Sequence, residues 1–283
     1  MKEVNKDGEL MNVPCRHYLR LLIGSVILVA VLLSLIHSLT AEKNSEEKKS
    51  GEAIHLFCAA SLRNVIEEIK ESYQANNDIA IDITYGSSGQ LETSLRMSDS
   101  TMASFPDVYI PADNLFSKRT DTIGLTRNTM VIARQRVVLA FDKTVVSKVV
   151  SLDDVLNSDI RFAFCHPAAG AGLKLKLVLS DIGRWKDLGD ACDAVFPTVT
   201  EVANAIKNSS GIQAGFIWDT TARQFQLDYI ELPELEEAVG MVTVSLVAGS
   251  RNKEPALSFV NYIAYDTRSV EYFENHFFST RVN

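Results

Sequence analysis

Residues 84–91 read TYGSSGQL, two serines held between two glycines directly after the alternating run IDIT. Such a turn suits four kinds of chemistry: a slack linker, a phosphate cradle, the bend around a nucleophilic serine, or a row of uncharged hydrogen-bond donors. A phosphate-cradling loop needs a lysine after its glycines, and Gln90 stands there instead. A nucleophile elbow needs G-x-S-x-G with a histidine and an acid in recognisable order, and GSSGQ offers neither. His55, His166 and His276 are scattered without a metal-binding spacing such as H-E-x-x-H. Asp107 and Asp113 flank one strand candidate, a common placement for structural carboxylates. No catalytic residue, cofactor or direct metal ligand is expected, and the chain does not read as an enzyme.

The elements around the turn have to position it. From Ala53 onward, strand-like and helix-like segments alternate, the pattern of an α/β fold with largely parallel sheet. Strands are expected near 54–60, 79–85, 107–112, 136–141, 160–167, 214–218, 228–232 and 241–249. Between the first two, Leu62, Val65, Ile66, Ile69 and Tyr73 recur at helical spacing and define one apolar face. Residues 173–179, LKLKLVL, alternate like a strand, but GAG before them and SDIG after them are helix punctuation, so a helix is expected.

Several of these helices begin with small or hydroxyl residues immediately after a strand. Ser61 is a candidate N-cap, Ser87 and Ser88 precede LETSLRM, and Thr198 with Glu201 has capping-box spacing. In open α/β sheets ligands sit beyond the carboxyl ends of the strands, where helix N-termini expose unpaired N–H groups and a positive dipole end. Several such ends converging would hold an anion without lysine or arginine. Helix capping alone, however, is common to every α/β protein.

With 283 residues the chain can hold one large domain or two lobes of about 100–150 residues each. The formal net charge of −8, with no basic run, argues against a nucleic-acid partner. Cys15, Cys58, Cys165 and Cys192 form no C-x-x-C pair. Cys58, Cys165 and Cys192 are expected as buried or incidental thiols, with a Cys165–Cys192 disulfide left open.

Arg16 and Arg20 precede residues 21–36, LLIGSVILVAVLLSLI, which carry no charge. The basic flank keeps that end in the cytoplasm and sends the remainder outward. Residues 1–50 are therefore a signal peptide or membrane anchor followed by the polar linker EKNSEEKKSG, residues 42–51. Everything after it is expected to be periplasmic or extracytoplasmic.

The wording of five segments is more specific than any of these features. CAASLRNVIEEI, YGSSGQLETSL, PDVYIPADN, HPAAGAGLKLKL and AGFIWDTTA occur in that order. Together they resemble the molybdate-binding proteins of bacterial ABC importers, over roughly residues 53–280. The resemblance implies a two-lobe type II periplasmic binding protein fold, each lobe a mostly parallel sheet flanked by helices, with the ligand in the interlobe cleft. Lobe 1 would span residues 53–133 with 243–283, and lobe 2 residues 134–242. It implies a monomer that captures molybdate or tungstate and delivers it to an ABC permease. The metal would be bound only as its oxyanion.

Matched position by position, the resemblance places the oxyanion ligands at Ser61, Ser88, Ala171, Val202 and Trp218. Val202 would contribute its backbone N–H at a helix start. Two of these matches depart from the family pattern. Gly170 stands where the family has a proline, and Trp218 replaces a tyrosine, leaving the indole N–H as donor. His166 also replaces an aspartate of structural role, and is expected as a surface or hinge histidine, with added positive charge near the cleft at low pH as the alternative.

Uncharged donors suit a dianion, because hydrogen bonds to a charged group contribute about 1.5–3 kcal/mol each without a buried ion pair to desolvate. None of the matched positions is a carboxylate, so a phosphate that keeps a proton would bury an unpaired donor. The alternatives are a protein of the same fold for sulfate, phosphate or an organic anion, and a membrane-tethered anion sensor.

Overall fold

The computed structural model describes residues 53–102, 104–142, 149–208 and 211–280, together with Ala30, Leu32 and Ser34. The chain divides into two units, Met1–Gly51 and Glu52–Asn283. In the first, the three described residues are helical and exposed. The rest of the expected leader or anchor, and the linker after it, lie outside the described residues. Among the described residues no helix is long and apolar enough to cross a membrane.

In the second unit nine strands form one continuous sheet in the order β2-β1-β3-β9-β4-β7-β5-β6, with β8 added on β4. The first half is built from β1 (Ile54–Ala59), β2 (Ile81–Gly86) and β3 (Val108–Ile110), which run parallel. The second half is built from β5 (Phe162–Cys165), β6 (Ala194–Phe196) and β7 (Ala214–Trp218), also parallel. The long β4 (Thr126–Phe141) belongs to both. Residues Thr126–Arg136 pair with β9 (Val239–Val247), and Val137–Phe141 pair with β7, antiparallel in each case. The strand β8 (Asp228–Ile230) completes the second half.

Sequence periodicity catches only the inner end of β4. Its outer stretch TRNTMVIARQ is mixed in polarity because two register shifts, at Arg127/Met130 and Val131/Ala133, break the alternation of faces. Asn128 sits there at φ 52°, a left-handed conformation that asparagine tolerates. The short β6, which is half exposed, also escapes the pattern.

The helices are α1 (Arg63–Gln74), α2 (Ser88–Met97), α3 (Asn114–Thr122), α4 (Leu152–Leu156) and α5 (Gly170–Asp181). They continue with α6 (Trp185–Ala191), α7 (Val199–Asn208), α8 (Asp219–Gln224), α9 (Lys253–Tyr265) and α10 (Thr267–Asn275). The expected apolar face of α1 is the one buried: Val65, Ile66 and Ile69 are fully covered, as is Leu62 on the 3-10 turn Ala60–Leu62 that precedes it. Each such side chain contributes roughly 1.5–3 kcal/mol. The ambiguous segment 173–179 is helical within α5, with Leu173, Leu175 and Leu179 buried. Gly172 lets α5 start against β5, since a Cβ there would lie 2.1 Å from the Cys165 carbonyl oxygen.

Candidate functional site

The parallel strands of both halves point their carboxyl ends at one cavity of about 20 Å³. One water needs roughly 10–15 Å³ by the same measure, so the space suits a small ion and excludes a sugar or peptide. The first half supplies Ala59, Ser61, Gly86, Ser87, Ser88 and Ala112 to its wall. The second supplies Ala169, Gly170, Thr198, Val199 and Trp218. None of these residues carries a charge.

Each serine is oriented by its surroundings. Ser87 is the N-cap of α2, its hydroxyl accepting from the Gln90 N–H at 3.4 Å. Ser88 is buried, and its Oγ accepts from the Ala112 N–H at 3.1 Å, which leaves its own proton as a donor. The Tyr109 hydroxyl fixes the same residue by donating to its carbonyl at 2.8 Å. Ser61 does not cap α1 as its position suggests. It lies inside the 3-10 turn and lines the cavity.

The second wall is built from backbone. At the start of α5 the first-turn N–H groups of Gly170 and Ala171 have no preceding helical acceptor. Ala171 itself is buried behind the wall, and the side of the turn that lines the cavity is Ala169 and Gly170. On α7 the expected donor is displaced by one turn: Val202 is fully buried, and its N–H donates to the Thr198 carbonyl at 3.3 Å. Val202 is thus not in the cavity wall, which is lined here by Thr198 and Val199. Thr198 forms the expected capping box, its N–H and hydroxyl donating to Glu201 at 2.8 and 2.9 Å while its Oγ1 accepts from the Glu201 N–H at 3.3 Å.

Trp218 and the two glycines around it form one packing unit. A Cβ on Gly170 would lie 3.1 Å from Trp218 Cζ2, and one on Gly240 would lie 2.5 Å from Cη2. The indole therefore leaves little room for any side chain at positions 170 and 240. Gly170, Trp218 and Gly240 are thus packed in direct contact although they lie far apart in the chain.

The walls touch beside the cavity. The Gly89 N–H donates to the Ala168 carbonyl at 2.7 Å, and a side chain at 89 would strike that oxygen. Lys174 on α5 lies 3.2 Å from Asp113, the fully buried N-cap of α3. Burial pushes the Asp113 carboxyl above its ordinary range, and the Lys174 charge pulls against that. His166 is exposed and outside the cavity wall, its Nδ1 accepting from the Ala168 N–H at 3.1 Å. Cys58, Cys165 and Cys192 are free thiols, so the Cys165–Cys192 bridge is not formed. Burial pushes Cys165 up to about 12, which makes it an inert thiol.

The parallel half-sheets joined through β4 and β9, with a donor-lined cavity at their carboxyl ends, define a two-lobe periplasmic binding protein fold. Residues 54–276 match the family described as bacterial extracellular solute-binding protein, and the chain belongs to that family. It is a binding protein and not an enzyme. The molybdate-binding protein ModA of Mycobacterium tuberculosis is 24% identical over 246 residues, covering 83% of this chain and 87% of that protein. The periplasmic molybdate-binding protein of Azotobacter vinelandii superposes with a TM-score of 0.65 at 15% identity, covering 80% of this chain and 98% of that one. The sulfate-binding protein SubI of Mycobacterium tuberculosis superposes with a TM-score of 0.67 at 14% identity, covering 80% and 86%.

Proposed function

We propose that this protein captures molybdate or tungstate outside the cytoplasm and delivers it to an ABC permease. The oxyanion is held between lobe 1, residues 53–133 with 243–283, and lobe 2, residues 134–242. The Ser61 and Ser88 hydroxyls donate from one side. The first-turn amides of α5, Ala171 among them, and of α7, beginning at Val199, donate from the other, with the Trp218 indole. The observation that carries this reading is the cavity itself, walled from both halves by uncharged donors and by no acidic side chain. A fully deprotonated tetrahedral dianion matches such a wall, because every oxygen can accept and none has to donate.

A second reading, a sulfate receptor, is favoured by one observation. The sulfate-binding protein SubI shares this fold, and the uncharged wall suits any fully deprotonated tetrahedral dianion. Calorimetric titration of the parent and Ser88→Ala tests the shared site. We expect the variant to lose about 1–3 kcal/mol of binding free energy with its fold intact. Parent-level affinity in the variant would remove Ser88 from the site.

A further inference from the structure

We propose that the same cleft also binds small phosphate monoesters, the phosphoryl head in the inner cavity and the organic substituent in a chamber beside it. This rests on the anion reading of the inner cavity. The chamber, about 510 Å³, shares Ala60, Ser61, Gly86 and Thr198 with that cavity. A substituent leaving the head between these residues therefore enters open space and meets no protein wall.

The chamber is polar where the inner cavity is neutral. Arg63, Asn64, Tyr85, Gln90, Thr200 and Gln224 line it. The Arg63 guanidinium lies over the Tyr85 ring, 3.8 Å from its centroid. The Tyr85 hydroxyl in turn donates to Glu67 at 3.0 Å, and Glu67 is paired with Lys70. Arg63 is thereby held in place by stacking; Glu67 feels its charge, but no carboxylate forms a close ion pair with it among the described residues. Asn64 donates to Gln224 at 3.3 Å and links the chamber's opposite sides. Glu201 also borders the chamber, but its carboxylate is engaged by Thr198, so a second anionic group on the ligand is directed to Arg63.

Protonation explains why an ester fits where inorganic phosphate does not. Inorganic phosphate keeps a proton near neutral pH and would bury a donor among donors. A monoester loses its second proton near pH 6, so at pH 8 its three terminal oxygens only accept, like those of a metal oxyanion. Its fourth oxygen carries the substituent out through the shared opening.

The test is calorimetric titration of the full chain at pH 8 with sodium molybdate, 2-phosphoglycolate and ethyl phosphate. We expect 2-phosphoglycolate to bind more tightly than ethyl phosphate. Arg63→Gln should weaken 2-phosphoglycolate by about 10-fold or more, the scale of one charge-assisted contact, while leaving molybdate affinity unchanged. Ser88→Ala should weaken both classes. Binding of molybdate with no binding of either ester would overturn the inference and leave the proposed function standing. Equal weakening of all three ligands by Arg63→Gln would overturn it too, by removing the chamber's separate role. Binding of 2-phosphoglycolate without molybdate would uphold the inference and sink the metal-oxyanion reading. Binding of none would defeat both.

Discussion

The two walls of the cavity solve one problem with different chemistry. The β1–β3 wall presents serine hydroxyls, each a side chain with a sequence position of its own. The β5–β7 wall is lined by Ala169, Gly170, Thr198, Val199 and Trp218, so in the proposed site its donors are first-turn amides and an indole, set by where α5 and α7 begin. A hydroxyl wall is altered by single side-chain substitutions. An amide wall is altered only by shifting a helix or its packing, which makes it sturdier against mutation and harder to read from residue types.

That difference predicts a ranking of effects, the largest on the second wall. Trp218→Ala should cost about 3–5 kcal/mol of stability, because a fully buried indole leaves a cavity between Gly170 and Gly240. Chemical denaturation would register this as a lowered midpoint with an unchanged slope. A variant as stable as the parent would show that the indole does not brace the wall.

Lys174→Met, which severs the pair joining the two walls, should cost about 3 kcal/mol near neutral pH by leaving Asp113 buried and charged. The pH dependence has a definite sign. Asp113 binds its proton more tightly folded than unfolded, so stability falls as pH rises above the ordinary 3.8. Removing the opposing Lys174 charge enlarges that fall. The melting-temperature gap between variant and parent should therefore widen from acid to neutral pH, and a constant gap would contradict the pairing.

Gly240→Ala should cost about 1–3 kcal/mol by forcing a methyl group against the indole, as thermal unfolding would show. Combined with Trp218→Phe, its penalty should shrink. Undiminished cost in the double variant would place the strain elsewhere. The smallest effect is expected from Thr198→Ala, about 0.5–2 kcal/mol, since it removes one cap while the amides of α7 stay in place. Anion affinity should fall less in Thr198→Ala than in Ser88→Ala. The reverse order would mean the second wall also depends on a hydroxyl.

The same contrast explains what was legible in the sequence. Ser61 and Ser88 are named by their own chemistry, and both reach the cavity. On the other side Val202 misses it by one turn, because α7 starts at Val199 and the first intrahelical bond already consumes the Val202 amide. Helix starts are set by packing and capping over several residues, so a donor belonging to the backbone slides along the sequence until the fold fixes it. The fold's local elements were legible from periodicity, as in the buried stripe of α1. The outer half of β4 was not, because register shifts erase its alternation, and neither was the Trp218–Gly170–Gly240 unit, whose members lie far apart in the chain.

Thermal unfolding of residues 52–283 in millimolar molybdate, tungstate, sulfate or phosphate tests whether both walls together hold a fully deprotonated tetrahedral dianion. A ligand that binds only the folded protein should stabilise it by about 2.7 kcal/mol at a hundredfold excess over Kd. Molybdate and tungstate should raise the melting temperature, and phosphate should not at the same ionic strength. No rise with either metal oxyanion, or an equal rise with phosphate, would contradict it.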